Sequence, residues 1–382
     1  MVSLAFAQGI DVPGDSDGDK IVSAEELAAA EKLVREGKLS ADELEEIKHI
    51  HEKYPMDVTD SAGRKIRLFV PAKRIIPFVT WSYEPLYILG LEDRIVGVTS
   101  SAKNLYPYLE GISSKPDIGT YKEYDYEKIF EQKPDLVIAL PRAVDVLDEK
   151  LPGVMVVALS MNNPENIEEE LRILADITDS GDRAEEYIAW RQEKLRLLSD
   201  VTSKISHSEK RRVYCEYAEW MLHTGGSGST KDHAIALAGG INIAEDLTMG
   251  SNPNMEVSAE WVLGKKPQAI LFVNSQDAYY KPVTLVQYNV TSPERAKRFL
   301  HDVVQRKEIA GTDAAKNGQM YIIEELCIDS SRGFMAPIYL AKWLYPDQFK
   351  DLDPEAIHKE YFERWLGVPY KGIWAYPPAP AS

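Results

Sequence analysis

From about residue 57 to residue 350 the chain alternates short β-branched and aliphatic runs with longer amphipathic stretches. Arg74–Thr80, Arg94–Thr99, Asp135–Leu140 and Val154–Leu159 are apolar at consecutive positions, the pattern of strands buried on both faces. Helical or turn-like spacing follows each run, and strand-then-helix alternation predicts a parallel sheet covered by helices. A polar stretch, Asp182–Ser206, interrupts the alternation, with Tyr187, Trp190, Leu195, Leu198 and Val201 at helical spacing. As one helix it would run about 35 Å. The alternation then resumes, with strands predicted at Arg212–Tyr217, Ala269–Val273 and Gln319–Ile323 and helices near 231–239, 258–264, 292–305 and 334–345. The chain therefore reads as α/β: one lobe over 55–180, a connecting helix over 181–207 and a second lobe over 208–350. Residues 351–382 hold one more helix, Pro354–Leu366, and a Pro- and aromatic-rich end.

Residues 10–54 have another texture, charged and rich in Ala and Glu. Val22-Ser-Ala-Glu-Glu-Leu27 recurs as Leu39-Ser-Ala-Asp-Glu-Leu44, and each copy is a capping box, Ser23 with Glu26 and Ser40 with Glu43. Two short helices are predicted near 24–36 and 41–53, with Gly37 between them. Residues 1–9, with the small-x-small pattern Ala5-Phe-Ala7, read as the remnant of an export signal or a disordered start.

The segment Asp15–Glu26 places carboxylates at loop positions 1, 3 and 5 (Asp15, Asp17, Asp19), the Ile21 carbonyl at 7, Ser23 at 9 and the Glu26 carboxylate at 12. Hard oxygen ligands at this spacing suit Ca2+. The segment resembles an EF-hand pair, or the half-hand arrangement of dockerins. Lys20 stands where the loop usually has Gly, which places a cation and a strained backbone near the metal. The second copy has Lys32 and Val34 where ligands belong and is expected to be metal-free.

Composition narrows the function classes. With 382 residues, 44% hydrophobic and 27% charged, the chain is globular and long enough for two or three domains. A formal net charge of -17 argues against nucleic-acid binding and against docking on anionic lipid. Two cysteines, Cys215 and Cys327, exclude a disulfide-dense scaffold and a Cys-based zinc site. They read as buried free thiols, or as one disulfide if the fold brings them within reach. No stretch reaches the roughly 18 apolar residues of a membrane span.

Residues 57 to about 346 resemble the solute-binding proteins of iron–siderophore, haem and cobalamin ABC importers. The likeness rests on the order and spacing of several segments. These are Val58–Arg64, Ala72–Ile75, Tyr87–Val98, Ile118–Thr120, Tyr126–Ile138, Ala238–Ile243, Val257–Leu263 and Ala341–Pro346. It implies two Rossmann-like lobes joined by a single long α-helix, here preceded by the small all-α, EF-hand-like extension. It implies an exported, monomeric protein of the periplasm or cell surface that carries a metal-chelate to a membrane permease dimer. Glu127 and Glu260 match the family's surface acids, one per lobe, which pair with permease arginines.

Open α/β sheets bind at loops beyond the carboxyl ends of their strands. Those loops offer Trp81, Tyr83, Tyr121, Tyr124 and Arg142 in the first lobe. In the second they offer Tyr217, Trp220, Met221, Tyr279, Tyr280 and Arg332. Flat aromatic surfaces suit a macrocycle or catecholate chelate, and arginine suits its carboxylates or phenolates. Where the family carries Gly-Pro-Arg, this chain reads Ser331-Arg-Gly-Phe334, and the Gly/Ser loop Gly225–Ser229 could cradle an oxyanion such as molybdate instead. Two readings of other classes stay open. One is a hydrolase using Ser227 or Ser229 with His223 or His233, although the Gly-x-Ser-x-Gly context is missed by one residue. The other is an adhesion protein working through the calcium segment.

Overall fold

A computed structural model of the chain describes residues 11–120, 123–248, 254–275 and 284–378. Two units divide the chain: Met1–Tyr106 with Gly111–Met161 and Glu168–Glu185, and Pro107–Glu110 with Asn162–Ile167 and Glu186–Ser382.

In the first unit both capping boxes form. The Ser23 hydroxyl accepts the Glu26 N–H at the start of α1 (Ala24–Arg35), and Ser40 and Glu43 repeat this at the start of α2 (Ala41–Lys53). The pair buries Val22, Ala30, Ile47 and Ile50. Helix α2 is also tied to the rest of the unit: His49 and Lys53 both reach Asp179, and Glu46 meets Lys73. After it come the antiparallel hairpin β1 (Met56–Thr59) and β2 (Lys65–Leu68), then β3 (Ile75–Pro77), α3 (Tyr83–Ile88) and the single turn α4 (Ala102–Leu105). Next are α5 (Tyr126–Glu131), β4 (Leu136–Ala139), α6 (Val144–Lys150), β5 (Met155–Ala158) and α7 (Ile167–Thr178). Strands β3, β4 and β5 form the parallel sheet that the alternation predicts, over a core that includes Ile76, Phe78, Ile118, Ile129, Val137 and Leu147.

The strand expected at Arg94–Thr99 is absent. Val96 donates to the Ile75 carbonyl on one side, and Val98 donates to Pro116 and accepts from Ile118 on the other. The segment changes partner too soon to build a ladder, leaving isolated bridges at Ile95 and Val98. Helix α8 (Gly181–Thr202) runs 22 residues and belongs to the first unit only through Glu185.

The second unit contains β6 (Arg212–Tyr217), β7 (His223–Thr224), α9 (Thr230–Leu237), β8 (Ile241–Asn242), β9 (Met255–Glu256) and α10 (Ala259–Lys265). It continues with β10 (Ala269–Asn274), α11 (Glu294–Val303), the single turns α12 (Lys307–Ala310) and α13 (Asp313–Lys316), and β11 (Met320–Glu324). The chain then forms α14 (Met335–Leu344), α15 (Pro354–Glu360) and β12 (Ala375–Tyr376). The main sheet has the order β12-β11-β10-β6-β8. Four strands are parallel, so their carboxyl ends share one edge, and β12 joins β11 antiparallel.

The end of the chain is core rather than tail. After α15 a π-helical turn, Tyr361–Trp365, carries Tyr361, Phe362 and Trp365 into the interior, and Trp374 is buried with them. The helix expected to run on to Leu366 is therefore cut short. Gly372 has φ 88°, and a Cβ there would lie 2.3 Å from the Gln287 carbonyl oxygen, so glycine is what lets the chain just before β12 pass this close to Gln287 and Tyr288. Cys215 and Cys327 are free and buried. Among the described residues no helix is long and apolar enough to cross a membrane.

Candidate ligand site

In the second unit β6, β10 and β11 end on a connected set of polar side chains. Lys231, on the first turn of α9, is only 6% exposed. Its ammonium donates to the Tyr217 hydroxyl at 2.6 Å and to Asp329 at 2.8 Å. Burial disfavours the ammonium, but Asp329 and Tyr217 outweigh burial and lift its pKa well above the usual lysine value. Thr230 donates to the other Asp329 oxygen. Asn274, the last residue of β10, donates to Glu219 and accepts from the Leu285 and Val286 N–H groups at 2.9 and 3.0 Å, which fixes the chain at Leu285 and Val286 to the end of β10. Ser275 donates to Glu325 at 2.6 Å.

Glu325 is the group here that titrates near neutrality. Burial, then Asp329, raise its carboxyl to about 7, and Ser275 and Lys231 only partly oppose them. The folded chain thus keeps a proton that the unfolded chain releases between pH 4.5 and about 7, and stability falls as pH rises through that window. Glu325→Gln keeps an acceptor for Ser275 and cannot ionise. Its stability relative to the parent is expected to grow by on the order of 2 kcal/mol between about pH 5 and pH 8. Urea unfolding at both pH values reads this directly, and an unchanged difference contradicts it.

The residues expected from the sequence fall into four groups. Trp220 and Met221 follow β6 as expected: Trp220 is half-buried and stacked on His223 at 3.7 Å, and Met221 is 58% exposed. In the first unit Trp81 and Tyr124 are half-buried and Arg142 is exposed at the end of β4, with Tyr124 edge-on to Phe78 at 4.6 Å. Tyr121, Tyr279 and Tyr280 lie outside the described residues.

Tyr83, Tyr217 and Arg332 are buried. Tyr83 donates to the Pro77 carbonyl and accepts from the Thr99 N–H, which makes it a core residue. Tyr217 is buried against Lys231. Arg332 is 0% exposed: it meets Glu324 at 3.2 Å and lies 4.4 Å from the Trp374 ring and 5.3 Å from that of Phe362. The aromatic end of the chain encloses this guanidinium, and cation–π attraction helps to compensate its lost hydration.

The Gly/Ser loop is no oxyanion cradle as it stands. Ser227 N–H donates to the Leu247 carbonyl, Gly228 N–H to Asp232 and Ser229 N–H to the Gly226 carbonyl. Ser229 caps α9, so a carboxylate of the chain itself, Asp232, sits where an oxyanion would. Among the described residues no hydrogen bond joins the hydroxyl of Ser227 or Ser229 to a histidine ring: the Ser229 hydroxyl accepts the Asp232 N–H, His223 stacks on Trp220 and His233 pairs with Glu165. Glu127 and Glu260 are both exposed in the first turn of a short helix, α5 and α10.

Lys231, Asp329, Glu219, Asn274 and Glu325 were not legible as a set. A lysine opening a helix reads as a solvated charge, and Asp329 lies 98 residues further on. The one local signal was Lys231's place two residues after the Gly/Ser loop.

In the acidic loop the Asp15, Asp17 and Asp19 ligand atoms all lie within 4.8 Å of one another. Glu26 accepts from Ser23 and Ser16, and these bonds hold its carboxyl down to about 2. Lys20 has φ 70°, the left-handed conformation that glycine would adopt more easily. Its amine lies 5.3 Å from the centroid of the Phe69 ring.

Known proteins agree with this architecture. Residues 79–326 match the model of a family described as periplasmic binding protein. The molybdate-binding protein MolA of Haemophilus influenzae is 23% identical over 351 residues, covering 82% of this chain and 92% of that protein. A vitamin B12-binding protein of Pectobacterium atrosepticum is 25% identical over 228 residues, covering 58% of this chain and 78% of that protein. A solved structure of the TroA-like periplasmic binding protein FepB from Veillonella parvula has the same fold, with a TM-score of 0.72 at 20% identity, covering 85% of this chain and all of that one. A family match over most of the chain, on α/β units whose strand ends carry the polar network, places this protein in the periplasmic binding protein family.

Proposed function

We propose that the chain is the extracytoplasmic substrate-binding component of an ABC importer and that its cargo is a metal-chelate: a ferric siderophore, a corrinoid or haem. One relative is named for molybdate and another for vitamin B12, so ancestry alone leaves the cargo open. The charge at the strand ends favours the chelate. Glu219, Glu325 and Asp329 stand there against Lys231, whose ammonium is already engaged by Asp329 and Tyr217. Three of the Gly/Ser loop amides, those of Ser227, Gly228 and Ser229, are also in use. A compact dianion must place its charge against these acceptors, whereas a large chelate can turn amide or hydroxyl donors to them, keep its own anionic groups away and lie on the exposed face of Met221. Exposed Glu127 and Glu260 are the acids we assign to permease docking, where such charges steer and orient more than they bind. Native mass spectrometry of the protein purified from its source should retain one chelate per chain. Retained molybdate would overturn the reading.

A second reading concerns the N-terminal loop, which we propose binds Ca2+. The three clustered carboxylates fit a hard cation, and the Ile21 carbonyl and Ser23 would complete the loop. Glu26 would have to exchange its Ser16 and Ser23 hydrogen bonds for the metal, which weakens the site. Calcium at about 100 times its Kd should stabilise the chain by about 2.7 kcal/mol. Asp15→Asn with Asp17→Asn should abolish that gain in a thermal melt, and an identical melt with calcium or with a chelator would refute the site.

A further inference from the structure

At the opposite edge of the second unit's sheet, where the parallel strands begin, two cavities of about 630 and 620 Å3 lie side by side. They share Arg211, Gln268, Tyr345 and Gln348. Their common wall follows from the topology. Arg211, Gln268 and Gln319 each immediately precede one of β6, β10 and β11, and strands that run parallel in register bring the three together at one edge.

Arg211 is exposed, and among the described residues its guanidinium has no ion-pair partner. Lys204 and Lys210 line the second cavity with it. The one acid there, Glu209, is held by the Ser206 N–H and hydroxyl. The second cavity therefore carries three cations against one acid. The first cavity is the more enclosed of the two, walled by Trp343, Pro346, Pro377 and Pro378, with Asp313 and Asp347 also in its lining. The indole N–H of Trp343 is buried in that wall without a hydrogen-bond partner.

We propose that these joined cavities form a second ligand site, for a small organic anion with a flat apolar body, of the aryl carboxylate class. The carboxylate sits on Arg211 and the Gln268 amide, within the field of Lys204 and Lys210. The ring lies against Tyr345 and the prolines, and an acceptor entering the Trp343 wall gives the indole N–H the partner it lacks. The site is independent of the chelate reading, because its ligand is detected on the protein directly and at the other edge of the sheet.

The test is isothermal titration with 2-naphthoate, followed by 2-naphthamide. Naphthoate should saturate at one per chain. The amide, and Arg211→Gln with naphthoate, should each bind about tenfold more weakly, while Arg211→Lys should keep most of the affinity. Because the Arg211 side chain is exposed and unpaired, the melting temperature of Arg211→Gln should match the parent, which separates lost binding from lost folding. No saturation up to about 5 mM, or equal binding by the amide or by Arg211→Gln, overturns the proposal.

Discussion

Lys231→Met is expected to destabilise the protein by about 3–5 kcal/mol, the cost of stranding a charge whose partner has been removed. The ammonium holds together three pieces of chain: the end of β6 through Tyr217, α9 on which it sits, and the loop after β11 through Asp329. Methionine fills the space but leaves Asp329, whose side chain is 14% exposed, facing the raised Glu325 without a counter-charge. Adding Asp329→Asn should recover much of the loss, since the pair then disappears together. Urea unfolding of the two single variants and the double variant measures this coupling. Additive losses would mean that the contact carries no energy.

Arg306→Met should cost a similar about 3–5 kcal/mol, for a related reason. Arg306 forks onto Glu216 at 2.6 and 3.0 Å and also meets Glu308 at 2.5 Å. Both carboxylates are nearly enclosed, with side-chain exposures of 1% and 8%. The loss should reach the candidate site as well. Glu216 accepts the Leu222 N–H at 2.8 Å and the Tyr214 hydroxyl at 2.8 Å, which fixes the turn that presents Trp220 and Met221. Arg306→Met should therefore weaken ligand binding even at temperatures where it remains folded. Arg306→Lys should recover only part of either effect, because an ammonium cannot fork onto Glu216 while holding Glu308. Tryptophan fluorescence with urea checks the first outcome, and a ligand titration at low temperature checks the second.

These two ion pairs mark the boundary of what sequence patterning makes legible. Parallel strands buried on both faces, such as Arg212–Tyr217, declare themselves by unbroken apolar runs, and the capping boxes at Ser23 and Ser40 announce α1 and α2. Arg94–Thr99 has the same texture, yet it divides its hydrogen bonds between two partners, which no local pattern encodes. Site residues follow the same division. Trp220 and Met221 stand beyond a predicted strand and were legible from that alone. Tyr83 also stands beyond a strand but turns inward to the Pro77 carbonyl. Arg332 reads as a ligand-facing cation until the aromatic segment near Trp374, more than forty residues on, is seen to enclose it. Lys231 and Asp329 become a pair only through the tertiary fold.

Equilibrium titration of the ligand-free protein with cyanocobalamin, a ferric catecholate, haemin and molybdate most directly tests whether this chain carries a metal-chelate. One of the three chelates should saturate it at one per chain, with molybdate producing no binding heat. Saturation by molybdate at one equivalent, with all three chelates silent, would contradict it.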